Sequence, residues 1–103
     1  MTRNEIDWLS GQVEFWDLDR VDLTRATAAQ EDDLKEDLAQ IAYPGGVTLD
    51  VGWYRGAFGV LVVANGNWDR PLFRAYVGLS DLADAISRAV RVADSTARNS
   101  RHR

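Results

Sequence analysis

The side chains in this sequence that could act on another molecule are carboxylates and aromatics. Nucleophilic catalysis has little to work with. Cysteine is absent, and the only histidine is His102, close to the end of the sequence. A Ser-His-Asp arrangement needs an imidazole held in a fixed orientation, and a frayed terminus does not hold one. Asp17, Asp19 and Asp22, in the run DLDRVD, have the look of a calcium loop. They lack the glycine turn and the distal glutamate of an EF-hand, so a solvated acidic loop is the simpler reading. Asp50 and Asp69 are candidates for an acid and base pair of the glycosidase kind. A chain this short leaves little room for a sugar cleft, and the simpler roles are an exposed strand residue for Asp50 and a turn former for Asp69. Gly45-Gly46 precede a strand rather than a helix, which is the wrong context for a phosphate cradle.

What remains is recognition. Exposed Trp, Tyr and Arg are the residue types that carry protein interfaces. Tyr54, Arg55, Trp68 and Arg70 come from strand ends and turns that could cluster. Charge points the same way. Residues 88–103 hold five arginines against Asp94, so with a net charge of −4 the first 87 residues carry −8. An acidic body repels nucleic acid and attracts basic proteins. The basic end has no interleaved aromatics, so it reads as a solubilising tail and not as a nucleic-acid site. No cofactor or metal site is expected.

These residues need a scaffold, and the scaffold centres on 47–77. Val47, Leu49, Val51 and Trp53 alternate with Thr48, Asp50, Gly52 and Tyr54, the period of a half-buried strand. Arg55-Gly56 is a turn signal. Phe58–Ala64 is an apolar run that suits a central strand. Asn65-Gly66 is a hairpin signal, Pro71 suits a strand start, and Leu72–Val77 is a third strand. A helix is expected from an N-cap at Thr27 to the stop at Tyr43-Pro44-Gly45-Gly46, with Leu34, Leu38 and Ile41 as its apolar stripe. A second helix is expected over Ser80–Asp94, where Leu82, Ala85, Ile86, Ala89, Val90 and Ala93 form a broad apolar face. Residues 5–18 admit two readings. Ile6, Leu9, Val13 and Trp16 fit a helical stripe, but Ser10-Gly11 interrupts it and Val13–Trp16 favours a strand. A short helix or turn at 5–9 and a strand at about 12–18 reconcile the two.

The expected fold is α+β: a small two-layer sandwich in which two helices pack an antiparallel sheet of three to four strands, in the order (β)-α-β-β-β-α. Residues 1–94 form one domain and 95–103 a disordered basic tail. No apolar run is long enough to span a membrane, and no secretory signal is visible.

The pattern TLDVGWY (Thr48–Tyr54), a short apolar strand, NWDRPL (Asn67–Leu72) and a Leu-led helix resembles bacterial immunity proteins. These are small cytoplasmic partners that neutralise contact-dependent or other polymorphic toxins. The likeness covers about residues 47–90 and leaves the toxin open. It implies a non-catalytic inhibitor, often acidic because many such toxins are basic nucleases. The expected contact residues are Asp17, Asp19, Asp22, Asp33, Glu36 and Asp37, with Tyr54 and Trp68 as anchors. Two other readings stand beside it. One is a scaffold domain that forms a homodimer through an exposed sheet edge. The other is a small ligand-binding domain or enzyme using Asp50 and Tyr54.

Overall fold

The computed structural model describes residues 1–101. Five strands, β1 (Gln12–Trp16), β2 (Ala39–Tyr43), β3 (Val47–Tyr54), β4 (Ala57–Ala64) and β5 (Phe73–Val77), are followed by one helix, α1 (Leu82–Arg101). The sheet is antiparallel throughout, and its spatial order, β1-β2-β3-β4-β5, is the chain order. The class is α+β, as expected. The sheet has more strands and the protein fewer helices than the sequence suggested.

The central meander forms because its turns match its strands. Arg55 and Gly56 both have positive φ (51° and 92°), which gives the β3–β4 hairpin the twist its strands need. Val47, Leu49 and Val51 face Ala64, Val62 and Val60 across the ladder, and all but Ala64 are at most 1% exposed. Trp53 packs edge-on against Phe58, with centroids 4.9 Å apart. On β5, Phe73, Ala75 and Val77 continue this apolar side. α1 closes the core there with Leu82, Ala85, Ile86, Ala89, Val90, Ala93 and Ala97.

The helix expected from Thr27 to Tyr43 does not form. Thr27–Asp33 is a 3-10 segment kinked at Gln30, Thr27 makes no cap, and Ala39–Tyr43 is a strand. The stripe residues Leu34, Leu38 and Ile41 are buried all the same. Two effects favour the extended chain. A helix would stack Asp32 on Glu36 and Asp33 on Asp37 at four-residue spacing, which is repulsive. β2 also supplies the ladder that the other edge of β3 needs, through Tyr43↔Val47 to Ala39↔Val51. Tyr43-Pro44-Gly45-Gly46 therefore makes a hairpin, with Gly45 and Gly46 at φ 80° and 78°.

At the other end, the expectation of a disordered tail fails for residues 95–101, which continue α1. Ala97 is fully buried, the Arg98 guanidinium pairs with the Asp94 carboxylate at 3.0 Å, and the Thr96 hydroxyl donates to the Val92 carbonyl. His102 and Arg103 lie outside the described residues. At the start of the chain, Gln12–Trp16 is a strand, as the second reading of that segment held. The loop before it is pinned to α1 by the Ser10 hydroxyl, which donates to Asp94 at 2.5 Å. Among the described residues no helix is long and apolar enough to cross a membrane.

Candidate functional site: the open face of the sheet

Strand alternation decides which side chains look away from α1. The register sets Phe15, Gln40, Asp50, Leu61 and Arg74 in one row across all five strands. A neighbouring row holds Gln12, Ala42, Thr48 and Val63, and another holds Gly52, Gly59 and Tyr76. Val63 is buried but stands apart from the helix-side core. Phe15, Leu72 and Tyr76 are exposed at 43%, 47% and 57%, so half of the large exposed apolar side chains of the described residues belong to this side. Phe15 stands on one edge strand and Leu72 and Tyr76 lie at the opposite edge, so they bracket the face, with Gln40, Asp50 and Leu61 between them.

The polar corner of this face is built on two glycines. Gly52 and Gly59 pair across β3 and β4. With no side chains there, the Tyr54 ring lies down over both, and Tyr76 approaches Gly59 from the next strand. Lying flat brings the Tyr54 hydroxyl back along β3 to Asp50, to which it donates at 3.4 Å. The Gln40 amide donates to the other Asp50 oxygen at 3.2 Å. The chain entering β2 crosses here too. Trp53 N–H donates to the Lys35 carbonyl and Leu38 N–H to the Val51 carbonyl, at 2.8 and 2.9 Å, so Glu36 and Asp37 bulge out beside Tyr54.

Asp50 is only 3% exposed, which corrects its reading as an exposed strand residue. Burial raises its pKa, the charge of Asp37 adds to the rise, and the Gln40 and Tyr54 donors oppose it. Burial and the charges of Asp50, Asp37 and Glu36 push the Tyr54 phenol up to about 12. The corner therefore pairs an aromatic ring, a confined carboxylate and two exposed ones. That combination attracts a guanidinium or ammonium group.

Of the residues singled out from the sequence, Glu36, Asp37 and Tyr54 come together here. Asp17 is ion-paired with Arg20 at 3.1 Å, and Asp19 accepts the Trp16 indole N–H at 2.9 Å. Asp22 accepts from the Thr24 amide and hydroxyl, bonds that hold its pKa below the usual value, while buried Gln30 clamps its main chain. Asp33 is half-buried at the end of the 3-10 segment. Trp68 is 49% exposed in the β4–β5 loop. Tyr54 and Arg55 lie at one end of β4, Trp68 and Arg70 at the other, roughly 25 Å away along eight residues, so these four do not cluster. Among the described residues no three His, Cys, Asp or Glu side chains are placed to hold a metal ion.

Sequence reasoning passed over Phe15 and the glycine pair. The signal for the latter was present: an isolated glycine inside a strand marks a close approach of other atoms. Comparison with known proteins adds no further constraint, since no family model, curated protein or solved structure matches the chain.

Proposed function

We propose that this chain is a non-catalytic binding protein that takes a basic protein partner on the open face of its sheet, and that it serves as a cytoplasmic immunity protein neutralising a toxin domain. The observation that carries the binding reading is the uncovered face itself. It presents Tyr76 next to a corner made of Tyr54, Asp50, Glu36 and Asp37, with Phe15 and Leu72 exposed farther out on the same side. Charge is consistent with that orientation. α1 holds four arginines against Asp84 and Asp94, a net of +2, while residues 1–81 carry −7. A basic partner is drawn to the molecule away from the helix, and its arrival slows as salt is added. Once docked, an Arg or Lys of the partner sits against Tyr54 and the carboxylates, and the neighbouring Tyr76 ring helps exclude water around it. The immunity role adds the resemblance of Thr48–Tyr54 and Asn67–Leu72 to that family.

The test is co-expression with the product of the neighbouring gene. Growth is expected to be rescued by the native chain and lost with Tyr54→Ala combined with Glu36→Lys and Asp37→Lys. A neighbouring product that is harmless, or equally toxic with and without this chain, removes the immunity reading. Full rescue by the triple variant removes the open face as the binding site.

A further inference from the structure

The two edges of the sheet are finished differently. On β1 the register slips between Val13 and Phe15, leaving Glu14 at a bulge. The core side of that edge is roofed by Trp8, packed edge-on against Trp16 with centroids 5.5 Å apart. Bulges, charges and covering segments are the usual means of blocking strand addition. β5 carries only one of them, the charge of Arg74. Phe73–Val77 runs in unbroken register with β4 and contains neither proline nor an acidic residue. Its core-side residues are also unfinished. Phe73, Ala75 and Val77 are only partly buried, whereas Phe58, Val60 and Val62 beside them on β4 are fully buried.

We propose that a second copy of this chain docks on β5, antiparallel and about a two-fold axis at Ala75, so that two five-stranded sheets join into one. The strand is self-complementary in that register and in no neighbouring one. Centred on Ala75, Arg74 of each copy faces Tyr76 of the other, and Phe73 faces Val77. The first pair sets a guanidinium against a phenol ring, and the second extends the apolar core across the seam. Centring on Arg74 would oppose two arginines. Centring on Tyr76 would leave Arg74 facing Gly78. On the helix side, the Arg88 guanidinium already lies 5.8 Å from the Phe73 ring centroid, at the rim of the same seam. The dimer also doubles the open face, but it does not depend on what that face binds.

Sedimentation equilibrium of the full chain, from micromolar to near-millimolar concentration, tests this. The native chain is expected to show a concentration-dependent monomer–dimer equilibrium. Tyr76→Lys puts a like charge opposite Arg74 twice and weakens the dimer about tenfold. Adding Arg74→Glu to Tyr76→Lys sets Glu against Lys and restores it. Tyr76→Glu alone faces Arg74 and tightens it. A native chain that stays monomeric throughout overturns the proposal. Equal weakening by Lys and Glu at position 76, or no recovery in the double variant, overturns the register.

Discussion

The main-chain carbonyl of Glu36 stands over the α-carbon of Gly52, in the space a β-carbon would fill. The obstruction is backbone, so it cannot swing aside. Gly52→Ala is expected to cost about 2–4 kcal/mol, because the crossing at 35–38 must shift with its two ladder bonds. At Gly59 the atoms nearest to an added β-carbon belong to the side chains of Tyr54 and Tyr76, at 2.7 and 3.1 Å. Those can turn away, so Gly59→Ala is expected to cost nearer 1 kcal/mol while displacing Tyr54 from Asp50. Urea unfolding of both variants checks the order.

Asp50 gives a pH signature. Its folded pKa is raised above the ordinary 3.8, so the folded state holds a proton there more readily than the unfolded chain does. Its contribution to stability is therefore greatest in acid and falls as pH rises from the ordinary value through the raised one. Asp50→Asn lacks that loss. The difference in unfolding free energy between the variant and the native chain should be smallest near pH 3, grow in the variant's favour through the acid range, and then level off. A flat difference would mean that the carboxylate is not confined as described.

Tyr43 makes the opposite kind of case. Its hydroxyl is buried without a hydrogen-bond partner among the described residues, and burial beside the charges of Asp94 and Asp7 pushes its pKa up. A buried, unpaired hydroxyl costs about 1–3 kcal/mol. Tyr43→Phe is accordingly expected to stabilise the protein by about 1 kcal/mol, read as a higher midpoint in thermal or urea unfolding.

The length of α1 is testable through Ala97, which is fully buried. Ala97→Asp places an unpaired charge against the core and is expected to cost about 2–4 kcal/mol. Ser95→Asp, two residues earlier on an exposed position, should change stability by less than about 0.5 kcal/mol.

Much of this fold was legible where one local signal had no rival. Val47–Tyr54 and Ala57–Ala64 alternate or run apolar between glycine turns, and both are strands. Residues 27–43 differ from the expectation because Leu34, Leu38 and Ile41 satisfy a helical stripe and are buried, but Ile41 is buried on a strand paired with β3, Leu38 at its entry and Leu34 at the end of the 3-10 segment. Sequence spacing alone does not distinguish those two ways of hiding the same side chains. The tail was misread for a related reason. Alanine is weakly apolar, yet Ala93 and Ala97 are small enough to let α1 lie close to its neighbours. The corner of Tyr54, Glu36 and Asp37 could be named residue by residue, but its geometry depends on Gly52 and Gly59 being opposite each other, which only the register supplies.

Because strands occupy the sheet in the order in which they occur along the chain, each pair can close as soon as its two arms exist, through short turns from β2 to β4 and through the longer connection of residues 17–38 between β1 and β2. The roof over their greasy side does not arrive until all five have been made, since α1 follows β5. A nascent chain thus passes through a stage in which a finished sheet has no helix to cover Leu49, Val51, Val60 and Val62. That interval is when this molecule is most open to a chaperone or to clumping with its siblings.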